Sequence, residues 1–377
     1  MQRNLSSFFP NGPDASRVAA GCMTGSSVDA LDVAWVRAEG RGHEMRAEIL
    51  DYGQVDLGGL RDPLARLSHQ EPFTANEIAR LAHELGELHA RALRPGGAVV
   101  APPLAELVAI HGQTVAHDGQ ASWALFDPAP LSAWLQVPIV TDLRTVDRGA
   151  DGEGAPITPL ADWILLRSSE PRQVVNLGGF CNITSLPAQN ESPAAVTGRD
   201  VTPCNQLLDA AARRWFDLQY DADGERALAG QVDEDRIAVL RDGLVSVGGR
   251  GRSLGTGDEG FHLLDALDGL RGEDALATLV AAVADTIVKA LPPPSEVLLF
   301  GGGAKNRALV SAFESRLEGR RVLIGGGADS RLDPTAREAA AMAVLGLLAA
   351  DGVPITVPGV TGRGETFHLD GRWLLPR

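Results

Sequence analysis

The sequence predicts an α/β protein of two domains that share one repeated unit, a strand followed by a glycine turn and a second strand. The chain has 377 residues, more than a single hydrophobic core usually serves. One such unit begins at Val174, breaks at Gly178 and returns through Ile183. A similar unit breaks at Gly25, about one domain length earlier. The pair indicates an internally duplicated architecture with a ligand cleft between the domains.

The central unit carries its glycines where two apolar runs meet. Residues 174–177 read VVNL and residues 182–186 read NITSL, so the segment between them predicts a β-hairpin with a tight turn at Gly178 and Gly179. Such a turn exposes backbone N–H groups that no bulky side chain shields. A phosphate is the ligand that suits this arrangement.

A helix is predicted to follow this hairpin. Thr202 is the expected N-cap and Pro203 the first helical residue. The apolar face is formed by Leu207, Leu208, Ala211, Ala212, Trp215 and Phe216. Asp200 would then lie two residues before the positive end of a helix, which favours its ionised form.

A third glycine segment lies between a strand and a helix. Residues 297–300 (VLLF) predict a buried strand, Gly301, Gly302 and Gly303 a turn, and residues 308–317 a helix. In this arrangement the backbone can approach a ligand closely. The alternative, a dinucleotide-binding fold, is disfavoured because GGGAKN lacks the GxGxxG spacing and occurs late in the chain.

The charge of the chain restricts its partners. Asp and Glu outnumber Lys and Arg, the net charge is −15, and no basic run offsets it. Nucleic acid and anionic membrane surfaces are therefore not expected as partners. Lys289 and Lys305 are the only lysines and neither precedes Ser or Thr, so the Walker pattern GxxxxGK[ST] is absent. A nucleotide site would have to use backbone amides and a metal ion.

Cysteine use and hydropathy predict a cytoplasmic protein. Cys22, Cys181 and Cys204 are far apart in sequence without CxxC spacing, which indicates free thiols in a reducing compartment. Residues 1–17 lack the apolar core of a signal peptide. The longest apolar run, residues 339–350, is too short to span a bilayer.

Two further segments have clear local patterns. Residues 74–92 predict a helix that starts with a capping box of Thr74 and Glu77, and His83 and His89 are expected on its exposed side. Residues 221–272 are acidic and rich in glycine, and they predict a long loop that moves over a ligand.

Polar residues after two predicted strands are candidates for a substrate site. His111 closes an apolar run beside a glycine, where it either contacts a substrate hydroxyl or satisfies local backbone groups. Arg144 and Asp147 belong to a glycine-broken loop over residues 142–156. Such a loop binds a polyol through carboxylates and arginine, or it is a salt-bridged surface loop.

Glu338 lies in the first turns of the last predicted helix, which starts at Asp333 and Pro334. One interpretation is that it compensates the helix dipole or caps the helix near Thr335. The other is a role in ligand binding.

Seven motifs in this order resemble the anhydro-N-acetylmuramic acid kinases, a family of the sugar kinase, heat-shock ATPase and actin superfamily. The resemblance runs from Gly21 to about Gly362. It is carried by GCMTGSSVDALD (21–32), HGQT (111–114), DLRTVD with GEGAP (142–156), NLGGFCNIT (176–184), DVTPCN (200–205), GGGAKN (301–306) and EAAAMAVL (338–345).

The resemblance implies two ribonuclease-H-like domains of the actin-like ATPase type, with ATP and Mg²⁺ in an inter-domain cleft. The first domain would cover residues 18–160 after a loose extension at 1–17, and the second 161–377, with a return to the first near 350–377. The nucleotide contacts it implies are Gly25, Ser26, Ser27, Val28, Asp29, Ala30, Leu31, Asp32, Gly178, Gly179, Asn182, Gly301, Gly302, Gly303 and Asn306. A homodimer is also implied.

Family chemistry implies that water opens a 1,6-anhydro sugar and that the released O6 takes the γ-phosphoryl group of ATP. Asp200 would be the base that removes a proton from the water. Glu338 would help to hold Mg²⁺, together with Asp200. The sugar would contact residues of two motifs, namely His111, Thr114, Arg144 and Asp147.

The sequence departs from the family pattern at several positions. Thr202 and Cys204 stand where glycines are usual, and Ala30 replaces a glycine of the first turn. Residues 157–162 read ITPLAD where family members often carry a phenylalanine–histidine pair. Three alternatives therefore stay open: a kinase for another anhydrosugar such as levoglucosan, a kinase for a plain sugar hydroxyl, and an inactive nucleotide-binding paralogue.

Overall fold

A computed structural model gives the fold of most of the chain. It describes residues 16–25, 28–117, 121–249, 254, 257–292, 296–317, 319–326, 333–366 and 368–376. The predictions for Ser26 and Ser27 lie outside these residues. No helix within them combines the length and the apolar character needed to cross a bilayer.

Strands and helices alternate along the chain. The strands are β1 (Arg17–Thr24), β2 (Ala30–Glu39), β3 (Arg46–Asp56), β4 (Leu107–His111), β5 (Gln113–His117), β6 (Ser122–Leu125), β7 (Ile139–Thr141), β8 (Arg172–Leu177), β9 (Phe180–Leu186), β10 (Thr197–Pro203), β11 (Glu296–Phe300), β12 (Val322–Ile324) and β13 (Arg372–Leu374). The helices are α1 (Arg61–Ser68), α2 (Ala75–Ala92), α3 (Ala129–Ser132), α4 (Thr145–Gly149), α5 (Pro159–Leu166), α6 (Asn205–Phe216), α7 (Glu225–Leu228), α8 (Glu234–Gly248), α9 (Gly272–Ala290), α10 (Arg307–Arg316), α11 (Ala336–Ala350) and α12 (Pro358–Thr361).

The chain packs into two units. The first contains Met1–Arg167, Glu191–Thr197 and Ala336–Arg377, and the second contains Ser168–Asn190 and Gly198–Thr335. The sequence analysis set the division at residue 160 and the return to the first domain near residue 350. The packing sets the division at Arg167, and the return begins with helix α11.

The first unit is built on a sheet in the order β13-β7-β4-β1-β2-β3. Strands β1 and β2 are antiparallel, as are β2 and β3, whereas β4 is parallel to β1 and β7 is parallel to β4. Helix α11 lies against β1 at Gly21, where an added Cβ would lie 2.0 Å from the Ala339 carbonyl oxygen. A glycine in this strand therefore lets the helix backbone approach the sheet directly.

The second unit repeats this plan. Its sheet has the order β10-β9-β8-β11-β12, with β9 antiparallel to β8 and with β8, β11 and β12 parallel. In both units a hairpin is followed by two strands parallel to its first strand, in the same spatial order. The internal duplication predicted from the two glycine hairpins is confirmed, and the shared order is that of a ribonuclease-H-like domain.

Helix α2 confirms one local prediction and corrects another. Thr74 accepts from the Glu77 amide while Glu77 accepts from the Thr74 amide, so the capping box is present. His83 is exposed, but His89 is fully buried and its ring packs edge-on against Phe126. The expectation that His89 lies on the exposed side was wrong because its position faces the apolar core.

The segment 221–272 is largely helical, which corrects the prediction of a long loop. It contains α7 and α8, and Asp233 caps α8 by accepting from the amides of Asp235 and Arg236. The helix buries Ile237, Leu240, Leu244 and Val247. This stripe was obscured because Val239 and Val245 are exposed among acidic residues.

Candidate functional site

The glycine turn between β8 and β9 holds the start of α6. The Gly178 carbonyl accepts from the Asn205 amide at 3.0 Å, and the Gly179 carbonyl accepts from the Cys204 amide at 2.9 Å and the Gln206 amide at 3.3 Å. The first amides of a helix need such acceptors because no preceding turn supplies them. The turn therefore caps the helix with backbone carbonyls.

This contact corrects the predicted start of α6. Thr202 is not the N-cap, because it is a buried residue of β10, and the helix begins at Asn205 rather than Pro203. Cys204 occupies the N-cap position with φ −133° and makes no side-chain capping bond. The first turn of α6 is thus set by a tertiary contact and not by its own sequence.

Asp200 lies in β10 and is partly exposed. Its Oδ2 accepts from the backbone amide of Leu254 at 2.7 Å. The sequence analysis placed this carboxylate beside a helix end; the structure instead places it in a strand, with a backbone amide on one oxygen. A hydrogen bond of this type fixes the orientation of a carboxylate.

The third glycine segment packs against the same hairpin. Gly301 has φ +84°, and an added Cβ would lie 2.8 Å from the Leu177 carbonyl oxygen. Gly303 leaves similar room for Asn205, whose Nδ2 donates to the Leu177 carbonyl at 2.9 Å. Asn205 therefore connects the two glycine segments that were predicted to meet the nucleotide. Sequence reasoning assigned Asn205 no role, although it closes the DVTPCN motif.

Asn306 and Asn182 have local roles in the second unit. Asn306 is the N-cap of α10 and its Oδ1 accepts from the Leu309 amide at 3.0 Å. Asn182 pairs with Asn176 across the β8–β9 hairpin. The exposed residue of the third segment is Gly302, where an added Cβ would meet only Asn205 Nδ2, at 3.6 Å. That segment therefore has one open edge.

The first hairpin turns between β1 and β2 in the first unit. The Gly25 carbonyl accepts from the Val28 amide at 3.1 Å, and Val28 is buried with φ +53°. Asp29 forms an exposed ion pair with an Arg61 nitrogen at 3.0 Å. Asp32 accepts from Tyr52 and Gln54 on the neighbouring strand, and Ala30 and Leu31 belong to β2. The predicted turn is confirmed, and its acidic side chains contact polar groups of the same unit.

His111 and Arg144 form a buried pair at the end of β4. Because guanidinium only donates, Arg144 Nε donates to His111 Nε2 at 3.0 Å, and His111 Nδ1 donates to the Gly112 carbonyl at 2.7 Å. Burial, followed by the charge of Arg144, lowers the pKa of His111 to about 3. His111 is therefore neutral and uses both nitrogens within the protein. Of its two predicted roles the local one is seen, while Thr114 lies half-buried in β5.

Asp147 is a fully buried junction. Its Oδ2 accepts from the hydroxyls of Thr356 and Thr361, at 2.5 and 2.7 Å, and its Oδ1 accepts from the Gly154 amide at 2.7 Å. Arg144 donates to the carbonyl of the same Gly154 at 2.5 Å. The interpretation as a salt-bridged surface loop is wrong for Asp147, because this carboxylate is not at the surface. Its contacts shape the segment that carries Arg144.

Glu338 lies in the first turn of α11 with 35% of its side chain exposed. Its Oε1 is 3.7 Å from an Arg337 nitrogen. Thr335 donates to Asp333 through its amide at 2.8 Å and its hydroxyl at 2.6 Å, so Asp333 supplies a cap at this helix start.

Metal binding at this helix start is chemically reasonable. Among the described residues no group of three or more His, Cys, Asp or Glu side chains is placed to hold a metal ion. Mg²⁺ needs only one or two protein carboxylates when phosphates and waters complete its shell. A partly exposed carboxylate such as Glu338 fits that requirement.

The comparisons with known proteins agree on one family. The model of the anhydro-N-acetylmuramic acid kinase family matches residues 17–372. A protein of Salinibacter ruber named anhydro-N-acetylmuramic acid kinase is 31% identical over 94% of this chain and 95% of its own length. Proteins of the same name from Xanthomonas campestris and Streptomyces coelicolor are 33% and 34% identical over 91% of this chain, and over 93% and 90% of their own lengths. The chain belongs to the anhydro-N-acetylmuramic acid kinase family.

Proposed function

We propose that this protein is an ATP-dependent kinase for anhydro-N-acetylmuramic acid, which opens the 1,6-anhydro bond with water and phosphorylates O6. The activity would belong to the recycling of cell-wall sugars. The observation that carries the proposal is the family match over residues 17–372. The duplicated fold and the contact between the two glycine segments of the second unit support it.

The nucleotide is assigned to backbone groups of both units. We assign the phosphates to residues 25–32 and to Gly178, Gly179 and Asn182. The carbonyls of the Gly178–Gly179 turn are directed to α6, so the amides are the groups this turn can offer to a phosphate. Gly301, Gly302, Gly303 and Asn306 are assigned to the nucleoside end, where Gly302 has an open edge.

Asp200 is assigned as the base. It takes a proton from water, whose oxygen bonds to C1 of the sugar while the C1–O6 bond breaks. The freed O6 then attacks the γ-phosphorus of ATP, and ADP leaves. The Leu254 amide holds one oxygen of Asp200, so positioning contributes to the rate. We assign Mg²⁺ to Glu338 and Asp200, where it would neutralise charge on the phosphates.

Arg144 is the residue we assign to direct sugar recognition, with Thr114 beside it on β5. Its guanidinium can donate to the carboxylate of the sugar. His111 and the Gly154 carbonyl fix this guanidinium from the protein side. His111 and Asp147 are thus assigned to positioning Arg144, since their own polar atoms are used inside the protein.

The decisive experiment measures ADP release with anhydro-N-acetylmuramic acid, levoglucosan and free hexoses in turn, with and without Mg²⁺. Release stimulated by the first sugar alone supports the proposal, and release with levoglucosan or a hexose alone replaces it. In ¹⁸O-water, early sampling should place label at C1, whereas a plain hydroxyl kinase incorporates none during turnover. ADP release unaffected by every sugar would contradict kinase activity.

Asp200→Asn tests the assigned base. Turnover should fall at least about 10³-fold, because the water loses its proton acceptor, while binding of a non-hydrolysable ATP analogue persists. Glu259→Gln is a matched control, since it changes an exposed carboxylate of the same unit. An Asp200→Asn variant with the wild-type rate would refute the assignment.

Two expectations about the whole protein also remain proposals. We place it in the cytoplasm, and its buried free thiols Cys22, Cys181 and Cys204 suit a reducing compartment. We also expect a homodimer, which light scattering of the purified protein would test.

A further inference from the structure

A buried ion pair joins α5 to the first turn of α11. Arg337 Nη1 donates to both carboxylate oxygens of Asp162, at 2.6 and 2.7 Å. The side chain of Asp162 is fully buried and that of Arg337 is 2% exposed. Removing two charges from water is costly, and an apolar pair of similar size often stabilises a protein as well or better. The pair therefore calls for a role besides stability.

The neighbour of Arg337 supplies that role. On its other side the same guanidinium faces Glu338, with Nη2 3.7 Å from Oε1. Because guanidinium is planar and always charged, fixing one edge on Asp162 also fixes the direction of the charge that the second edge presents. Glu338 is partly exposed, and this fixed charge favours the side-chain conformations that keep its carboxylate beside Arg337.

The backbone around this carboxylate is also fixed. Helix α11 contacts β1 directly at Gly21, where the carbonyl of Ala339, the residue after Glu338, occupies the space of a Cβ. A side chain on a fixed helix turn beside a fixed charge keeps little freedom. Such preorganisation of a ligand by its supporting residues is common at metal sites.

We propose that Asp162 and Arg337 are a positioning pair that presets the carboxylate of Glu338 for a divalent cation. The inference rests on the proposed function, which assigns Mg²⁺ to Glu338. It concerns residues in which this chain differs from its family pattern, since Asp162 belongs to the ITPLAD segment. The cation-binding carboxylate would thus be supported by a salt bridge specific to this sequence.

The test uses Mn²⁺ as the probe, with binding to the full-length protein followed by electron paramagnetic resonance in the presence of a non-hydrolysable ATP analogue. Asp162→Asn should raise the Mn²⁺ dissociation constant about tenfold, a typical loss when the support of a metal ligand is removed. A variant with Asp162→Leu and Arg337→Met guards against unfolding, because it removes both charges together. It should show the same loss of affinity while melting near the wild-type temperature.

The chain provides a matched control on the same helix. Asp351, just after α11, forms a second buried pair with Arg17 at 2.7 Å. Asp351→Asn removes an equivalent buried charge far along α11 from Glu338, so it should lower the melting temperature and leave the Mn²⁺ dissociation constant within about twofold of wild type. A tenfold weakening in this control would show that destabilisation alone explains the effect, and would overturn the inference.

Two other results would also overturn it. If Glu338→Gln weakens Mn²⁺ binding while the folded double variant binds like wild type, the pair does not position Glu338 and the proposed function stands. If Glu338→Gln leaves Mn²⁺ binding unchanged, Glu338 is not a ligand and the pair has nothing to position. Sugar-dependent ADP release of the wild-type protein decides the proposed function independently of both.

Discussion

Asp147→Asn separates two roles for the carboxylate at the centre of the 142–156 segment. The family resemblance assigns Asp147 to the sugar, whereas the structure buries it with three hydrogen-bond donors, the hydroxyls of Thr356 and Thr361 and the amide of Gly154. Asparagine has nearly the same shape but keeps only one acceptor oxygen. We expect the substitution to act on the stability of the first unit.

The size of the effect follows from these three bonds. The amide oxygen of asparagine can still accept from Gly154, but its NH₂ group would face two hydroxyls that now donate. Thr356 already accepts from Arg363 Nη1 at 2.9 Å, so rotating its hydroxyl does not recover a full bond. Hydrogen bonds to charged acceptors contribute about 1.5–3 kcal/mol each. With one bond recovered, the free energy of unfolding should fall by about 2–3 kcal/mol.

The assay combines thermal unfolding with steady-state kinetics. For a domain of roughly 200 residues such a loss lowers the melting temperature by about 4–12 °C. The KM for the sugar should change less than about threefold, since the carboxylate does not reach the surface. Asp151→Asn is the control, because Asp151 is exposed in the same segment and asparagine tolerates its φ of +61°. An unchanged melting temperature with a tenfold higher KM would refute the reasoning.

Two further predictions concern packing and pH. Gly21→Ala would place a Cβ 2.0 Å from the Ala339 oxygen, so the free energy of unfolding in urea should fall by about 3 kcal/mol, whereas Gly59→Ala, which meets nothing within 4 Å, should change it little. Equal effects would contradict the packing argument. Burial lowers the pKa of His89 to about 4 and that of His111 to about 3, so between about pH 6.5 and 4 the unfolded chain binds protons that the folded chain excludes, and stability falls as pH falls. His89→Gln should reduce the loss between pH 7 and 5 by about 2 kcal/mol, and an unchanged loss in urea titrations would contradict this.

The parts of the fold that sequence predicted are those fixed by local pattern. The hairpins β1–β2 and β8–β9 announce themselves by an apolar run on each side of a glycine turn, and both formed where expected. Helix α2 has a capping box at its start and an apolar stripe along its length. In each case the residues that decide the structure are within a few positions of one another.

The parts that sequence missed depend on distant partners. The first residue of α6 is set by carbonyls of the Gly178–Gly179 turn, some 25 residues away in the chain, so a search for a capping side chain selected Thr202. Asp147 is buried by threonines more than 200 positions later. A polar residue type suggested exposure for both Asp147 and His89, and only the packing of their elements shows otherwise.

The same contact explains how this chain tolerates its departures from the family's glycines. A glycine is physically required where φ is positive or where a backbone lies too close for a Cβ, and Gly301 meets both conditions with φ +84° and the Leu177 carbonyl 2.8 Å from the Cβ position. Cys204 meets neither condition, because the turn carbonyls cap α6 and leave residue 204 at φ −133°. Thr202 lies in β10 with ordinary strand geometry. The substitutions near Asp200 therefore occur where backbone freedom is not needed, and the position that does need it keeps its glycine.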